Sequence, residues 1–173
     1  MKSFLVTCLA AASWSGAAVA QDVDFERCGA LPAAVAKTRD AVKAAAAASD
    51  LAALAKLTNP ARFTYSFGEE GGDPAVYWES LKSGGTEVAP TIVALLDMGC
   101  VFFEIEGDTT YYEWPAASEV AYEYLTEAEI TALKQLYGDV EAQYVEGTAA
   151  GYYVGWRLLI AKDGRWDSFV AGD

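Results

Sequence analysis

The spacing of apolar positions changes midway along the 173-residue chain. In the first half they recur at helical intervals. Residues 31–48, LPAAVAKTRDAVKAAAAA, place Leu31, Val35, Val42 and several alanines on one face, which predicts a helix with Pro32 in its first turn. Ser49 and Asp50 end that helix and cap a shorter one over 51–57, and Asn59-Pro60 stops it. The segment RFTYSF (62–67) alternates, with Phe63, Tyr65 and Phe67 on one face of an extended stretch. Asp73-Pro74 is a cap and first-turn pair for AVYWESLK, which Gly84-Gly85 terminates. Residues 89–98, APTIVALLDM, predict a further helix with Gly99 just past its end.

Strand signals dominate after that point. VFFEIEGDTTYYEW reads as two strands around a Gly107-Asp108 turn. Thr126-x-x-Glu129 is a capping box that opens a helix over 127–137, closed by Gly138. Residues 140–145 and 152–161 read as strands, and Tyr152, Val154, Trp156, Leu158 and Ile160 share a face opposite Arg157 and Leu159. Asp163-Gly164 supplies a hairpin turn into a last strand, WDSFVAG. The chain therefore predicts an α+β fold: a helical N-terminal half packed on a small antiparallel sheet formed mainly by the C-terminal half.

The first twenty residues stand apart from this pattern. Lys2, an apolar run from Phe4 to Ala12 and the small-residue ending Ala18-Val19-Ala20 match a secretory signal peptide cleaved near Ala20-Gln21. The expected organisation is a signal over 1–20 and a single α+β domain over 21–173, in the periplasm or secreted. No later apolar run has the length of a membrane span.

Export changes the meaning of two counts. Cys8 leaves with the signal, so Cys28 and Cys100 remain as a pair in an oxidising compartment, where a disulfide is the default. Lys2 leaves too, and the formal charge of −13 becomes −14 in the mature chain (11 basic against 25 acidic residues). Twelve acidic residues and one basic residue lie between Asp97 and Glu146. That field repels phosphate backbones and argues against nucleic acid as a partner.

The chain has no histidine. Ser-His-Asp and Cys-His nucleophile systems are excluded, as are the usual imidazole-ligated zinc, copper and iron sites. No glycine-rich phosphate loop occurs in a strand-loop-helix setting, and the sequence implies no cofactor.

Three constellations remain. Glu69, Glu70 and Asp73 on the loop GEEGGD are oxygen donors that suit calcium or an acid/base pair, although the spacing is not that of an EF-hand. They read equally as a solvated turn whose Asp73 caps the next helix. Glu104 and Glu106 share a strand face, a carboxylate pair of the kind glycoside hydrolases use or a simple solvent face. Tyr112 and Trp114, with acids interleaved in Tyr111-Tyr112-Glu113-Trp114, suit either a binding surface or cross-strand core packing.

Two segments, FTYSFGEEGGDPAVYWESL (63–81) and GYYVGWRLLIAKDGRWDSFVAGD (151–173), together resemble an uncharacterised family of exported proteobacterial proteins. Its members carry an FxYSFGxxGG segment, a Trp-bearing helix and a closing DGxWxxFVAGD strand, and the similarity spans residues 44–173. The resemblance implies an envelope protein and supplies no catalytic residues. The functional expectation is a small periplasmic binding or envelope-accessory domain, with an envelope protein or a cell-wall fragment as partner. The alternative is a histidine-free, carboxylate-dependent hydrolase of cell-wall or polysaccharide material. A third reading is a calcium-stabilised structural protein.

Overall fold

The computed structural model describes residues 26–59, 61–65, 72–105, 109–145 and 152–172. The signal region and the loop acids Glu69 and Glu70 lie outside the described residues, as does Glu106.

The predicted helices form close to their expected limits. They are α1 (Ala33–Ala47), α2 (Leu51–Lys56), α3 (Pro74–Ser83), α4 (Val88–Asp97) and α5 (Glu127–Tyr137). Local chemistry sets their starts. Asp50 accepts from Ala53 N at 2.8 Å to open α2, and Asp73 accepts from Ala75 N at 2.9 Å to open α3. Thr126 and Glu129 close the predicted capping box of α5.

The strands are β1 (Glu26–Arg27), β2 (Val101–Ile105), β3 (Thr109–Trp114), β4 (Tyr144–Val145), β5 (Tyr152–Tyr153), β6 (Arg157–Ala161) and β7 (Trp166–Val170). Five of them form an antiparallel sheet in the order β1-β2-β3-β6-β7. The fold is α+β, as the sequence predicts.

Strand alternation, shifted in β7 by an irregularity opposite Leu159–Ile160, sorts the two faces of this sheet. Tyr112 and Trp114 from β3, Leu158 and Ile160 from β6, and Trp166 and Phe169 from β7 join the core under the helices. From the helical side come Val35 and Val42 of α1, Leu54 of α2, Trp78 of α3, and Ile92 and Leu95 of α4. Aromatic packing knits distant segments together: Trp78 stacks on Trp166 with centroids 5.8 Å apart, and Phe63 meets Trp166 edge-on at 4.9 Å. A second apolar cluster, including Leu125, Leu133, Val140 and Tyr153, forms from the segment after β3.

Three expectations are adjusted. The strand predicted over 152–161 breaks at Gly155. Tyr152–Tyr153 pairs with Tyr144–Val145 in a separate two-stranded ribbon, and Arg157–Ala161 alone joins the main sheet. The cause is the Tyr153 ring. Its hydroxyl reaches Tyr137 Oη at 2.9 Å and Trp156 O at 3.2 Å, and the ring occupies the space a Cβ at 155 would need. Residues 141–143 form a 3₁₀ turn instead of continuing the strand predicted over 140–145. The extended stretch near Phe63 is anchored at Thr64, whose N donates to Asp167 O at 2.9 Å while Phe169 N donates to Thr64 O at 3.0 Å. It therefore runs parallel to β7.

Candidate functional site

The described residues among those singled out in the sequence do not converge on one site. Cys28 and Cys100 form the expected disulfide, with Cα atoms 5.3 Å apart. It ties β1 to the start of β2, where Cys28 N also donates to Cys100 O at 2.8 Å. Asp73 is the cap of α3. Glu104 is exposed on β2 and accepts from Thr110 Oγ1 at 3.4 Å. Tyr112 and Trp114 are buried, the packing role the sequence also allowed them. Burial, and then the nearby Glu104 charge, push the Tyr112 hydroxyl above its ordinary pKa. Among the described residues no group of three or more His, Cys, Asp and Glu could hold a metal ion.

A different constellation lies on the sheet face turned away from α1 and α4. Alternation along β3 turns Tyr111 and Glu113 to that face while Tyr112 and Trp114 enter the core. Cross-strand register then sets Glu113 directly between Val101 of β2 and Leu159 of β6. Only 5 % of Glu113 is exposed, and its Oε1 has no hydrogen-bond partner. Burial raises its pKa, while the neighbouring Ser118 hydroxyl and the charge of Arg157 pull the other way. Ser118 sits in the turn after β3, where its hydroxyl donates to Pro115 O at 2.8 Å.

Two further charges complete the group. Glu119, at the end of the same turn, has its pKa pushed up to about 7, by burial first and then by the charge of Glu113, against the opposing pull of Arg157. Arg157 opens β6 and fastens two other segments, donating to Tyr153 O and Gly172 O, each at 3.2 Å. Arg165 holds Asp167 with two hydrogen bonds, at 2.6 and 3.0 Å. Arg165 immediately precedes β7 and reaches Asp167 two residues along the chain.

Glu113 lines a groove of about 400 Å³. Ile105, Tyr111, Leu159 and Val170 give it apolar walls, and Arg62 and Asp167 add charge. Glu119 is not among its lining residues. The sequence flagged Tyr111–Trp114 for its aromatics and not for the acid among them. The signal that points to Glu113 is its parity along the strand, which separates it from the core-facing Tyr112 and Trp114.

A larger concavity, about 670 Å³, opens between α4 and α5 over Pro90, Ala94, Met98, Leu136 and Trp156. Tyr137 lines it too, but its hydroxyl is already engaged by Tyr153 and by Trp156 N at 2.8 Å. None of its lining atoms is a buried polar group lacking a partner. No helix among the described residues is long and apolar enough to cross a membrane. Neither a family model, nor a curated protein, nor a solved structure matches this chain.

Proposed function

We propose that this chain is an exported binding domain of the cell envelope, without catalytic activity, that takes its ligand in the outer-face groove of the sheet. One observation carries the reading. A nearly buried carboxyl, Glu113, lines a groove with apolar walls and has one oxygen without a partner, and buried polar atoms in proteins are almost always satisfied. The disulfide supports the exported setting, because such bonds persist in oxidising compartments. The resemblance to exported proteobacterial proteins agrees with it.

The hydrolase alternative draws on the raised pKa values of Glu113 and Glu119. A glycosidase pair must flank one bond in one cleft. Of Glu113 and Glu119 only Glu113 lines the groove, and the other carboxylate there, Asp167, is bonded by Arg165, so the binding reading is the better supported.

The test uses the chain purified from the periplasm of an exporting host. It is incubated with purified sacculi and, separately, with immobilised envelope extract. Leu159→Trp, which fills the groove from its wall, is run beside it. Retention by one of the two materials that the variant loses supports the reading. Retention by neither, or equal retention of the variant, refutes it.

A further inference from the structure

We propose that the groove recognises an apolar amino acid or the C-terminal end of a short apolar peptide, with a ligand N–H donated to Glu113 and the ligand carboxylate held at Arg62. This rests on the binding reading above and narrows its ligand class.

Three features of the groove select this chemistry. The first is the Glu113 oxygen, which accepts but has nothing to accept from. A ligand that completes it must bring a hydrogen-bond donor to the groove wall between Val101 and Leu159. The second is the wall itself. Ile105, Tyr111, Leu159 and Val170 offer apolar surface, with Ile105 half exposed. An apolar body gains from covering it, and a fully hydroxylated sugar does not.

The third feature is charge. Arg62 is exposed and has no ion pair among the described residues. Arg157 adds a second positive group to the lining, while the Asp167 charge is matched by Arg165. The lining also carries the Glu113 and Asp167 carboxyls, so the positive charge it offers a ligand is centred on exposed Arg62. An anionic group is favoured at that arginine. A donor, an apolar body and a carboxylate on one small molecule describe an amino acid or a peptide end. The volume of about 400 Å³ is at the lower end of small-ligand sites and suits a molecule of dipeptide size.

Leucyl-leucine is the probe, titrated into the ¹⁵N-labelled full chain and followed by amide shifts at Tyr111, Leu159 and Ser168. Two comparison ligands separate the contributions. Leucinamide keeps the donor and apolar body without the carboxylate, and glucuronate keeps the carboxylate and donors without the apolar body. Glu113→Leu removes the acceptor without adding an unmet polar group, and Arg62→Ala removes an exposed charge, so it leaves folding unaffected. The expected result is saturable binding of leucyl-leucine, weakened about tenfold by Glu113→Leu and severalfold by Arg62→Ala. Leucinamide should bind about tenfold more weakly than the dipeptide.

No groove shift at about 10 mM dipeptide overturns the proposal. So does binding that both variants leave unchanged, and so does a preference for glucuronate. Retention on sacculi or extract that Leu159→Trp abolishes, together with silence toward the dipeptide, leaves the binding reading standing and removes this ligand class.

Discussion

Replacing Glu119 by glutamine should flatten the dependence of stability on pH above neutrality's acid side. Glu119 holds its proton up to about pH 7 in the folded chain, against an ordinary value of 4.5. Its first cause is burial, its second the charge of Glu113, and Arg157 compensates only in part. The folded state therefore binds more protons than the unfolded state between these two values. Stability tied to the protonated form is complete below pH 4.5 and is lost as pH rises through about 7. At about 1.4 kcal/mol per pH unit, that interval caps the loss at about 3 kcal/mol. Glu119 keeps some contact with water, so screening brings the working figure to about 1–2 kcal/mol. The assay is urea unfolding of the native chain and Glu119→Gln at steps from pH 5 to 8.5. The native chain should lose about 1–2 kcal/mol more than the variant over that range. Glu113, also raised, adds a loss of the same sign, and removing the Glu119 charge coupled to it lessens that loss in the variant, which widens the difference in the same direction. Glu129 acts elsewhere: burial opposes its ionisation, but bonds from Arg27 and Thr126 more than offset this and hold it below 4.5. Parallel stability curves for the two proteins would refute the placement of Glu119 beside Glu113.

Other substitutions test the frame around the site. Reducing Cys28–Cys100, which spans 72 residues, should lower stability by about 3–4 kcal/mol in the chain-entropy account; an unchanged denaturant midpoint after reduction would contradict it. Gly155→Ala would set a Cβ 2.8 Å from Tyr153 Cε2 and closer still to Cζ and Oη. Moving that ring breaks the Tyr137–Tyr153 pair, so a cost of about 1–3 kcal/mol is expected, read from thermal melts; a neutral variant would show that the ring has room. Thr126→Ala removes the reciprocal cap of α5 and should cost about 1 kcal/mol, whereas Ser83→Ala, at an exposed hydroxyl near the end of α3, should change little in the same denaturant titration.

The sequence was most readable where a feature is decided within a few residues. Asp50, Asp73 and the Thr126-Glu129 box start helices by bonding to backbone one turn away, and their residue types announce it. The β2–β3 and β6–β7 hairpins are likewise local. The pairing of Cys28 with Cys100 is long-range, yet it was reachable because only two cysteines remain after Cys8. Gly155 was not readable as a break, because the object that forces it is the ring of Tyr153 folded back over the backbone. The candidate site was the least legible part. An acid in an alternating strand reads as solvent-facing, and alternation does place Glu113 on the outer face. What removes it from water is the turn carrying Ser118, directly after the strand, and the arrival of β6 with Arg157 and Leu159, which is far away in sequence. The sequence also marked Tyr112 and Trp114, whose parity sends them under the helices, as binding candidates.

The disulfide also has a bearing on solubility. A sheet of five strands has two free rims, and each is a template for pairing with another chain. One rim, along β7, is occupied by the stretch around Thr58 and Thr64. The other is covered by β1, whose described residues Glu26 and Arg27 pair with Phe102 and Val101. The Cys28–Cys100 bond, one residue past β1, fastens it there together with the Arg27–Glu129 ion pair. Reduction would thus release a cover from a strand reading Val-Phe-Phe-Glu-Ile. In an oxidising compartment the same bond shields that rim from self-association.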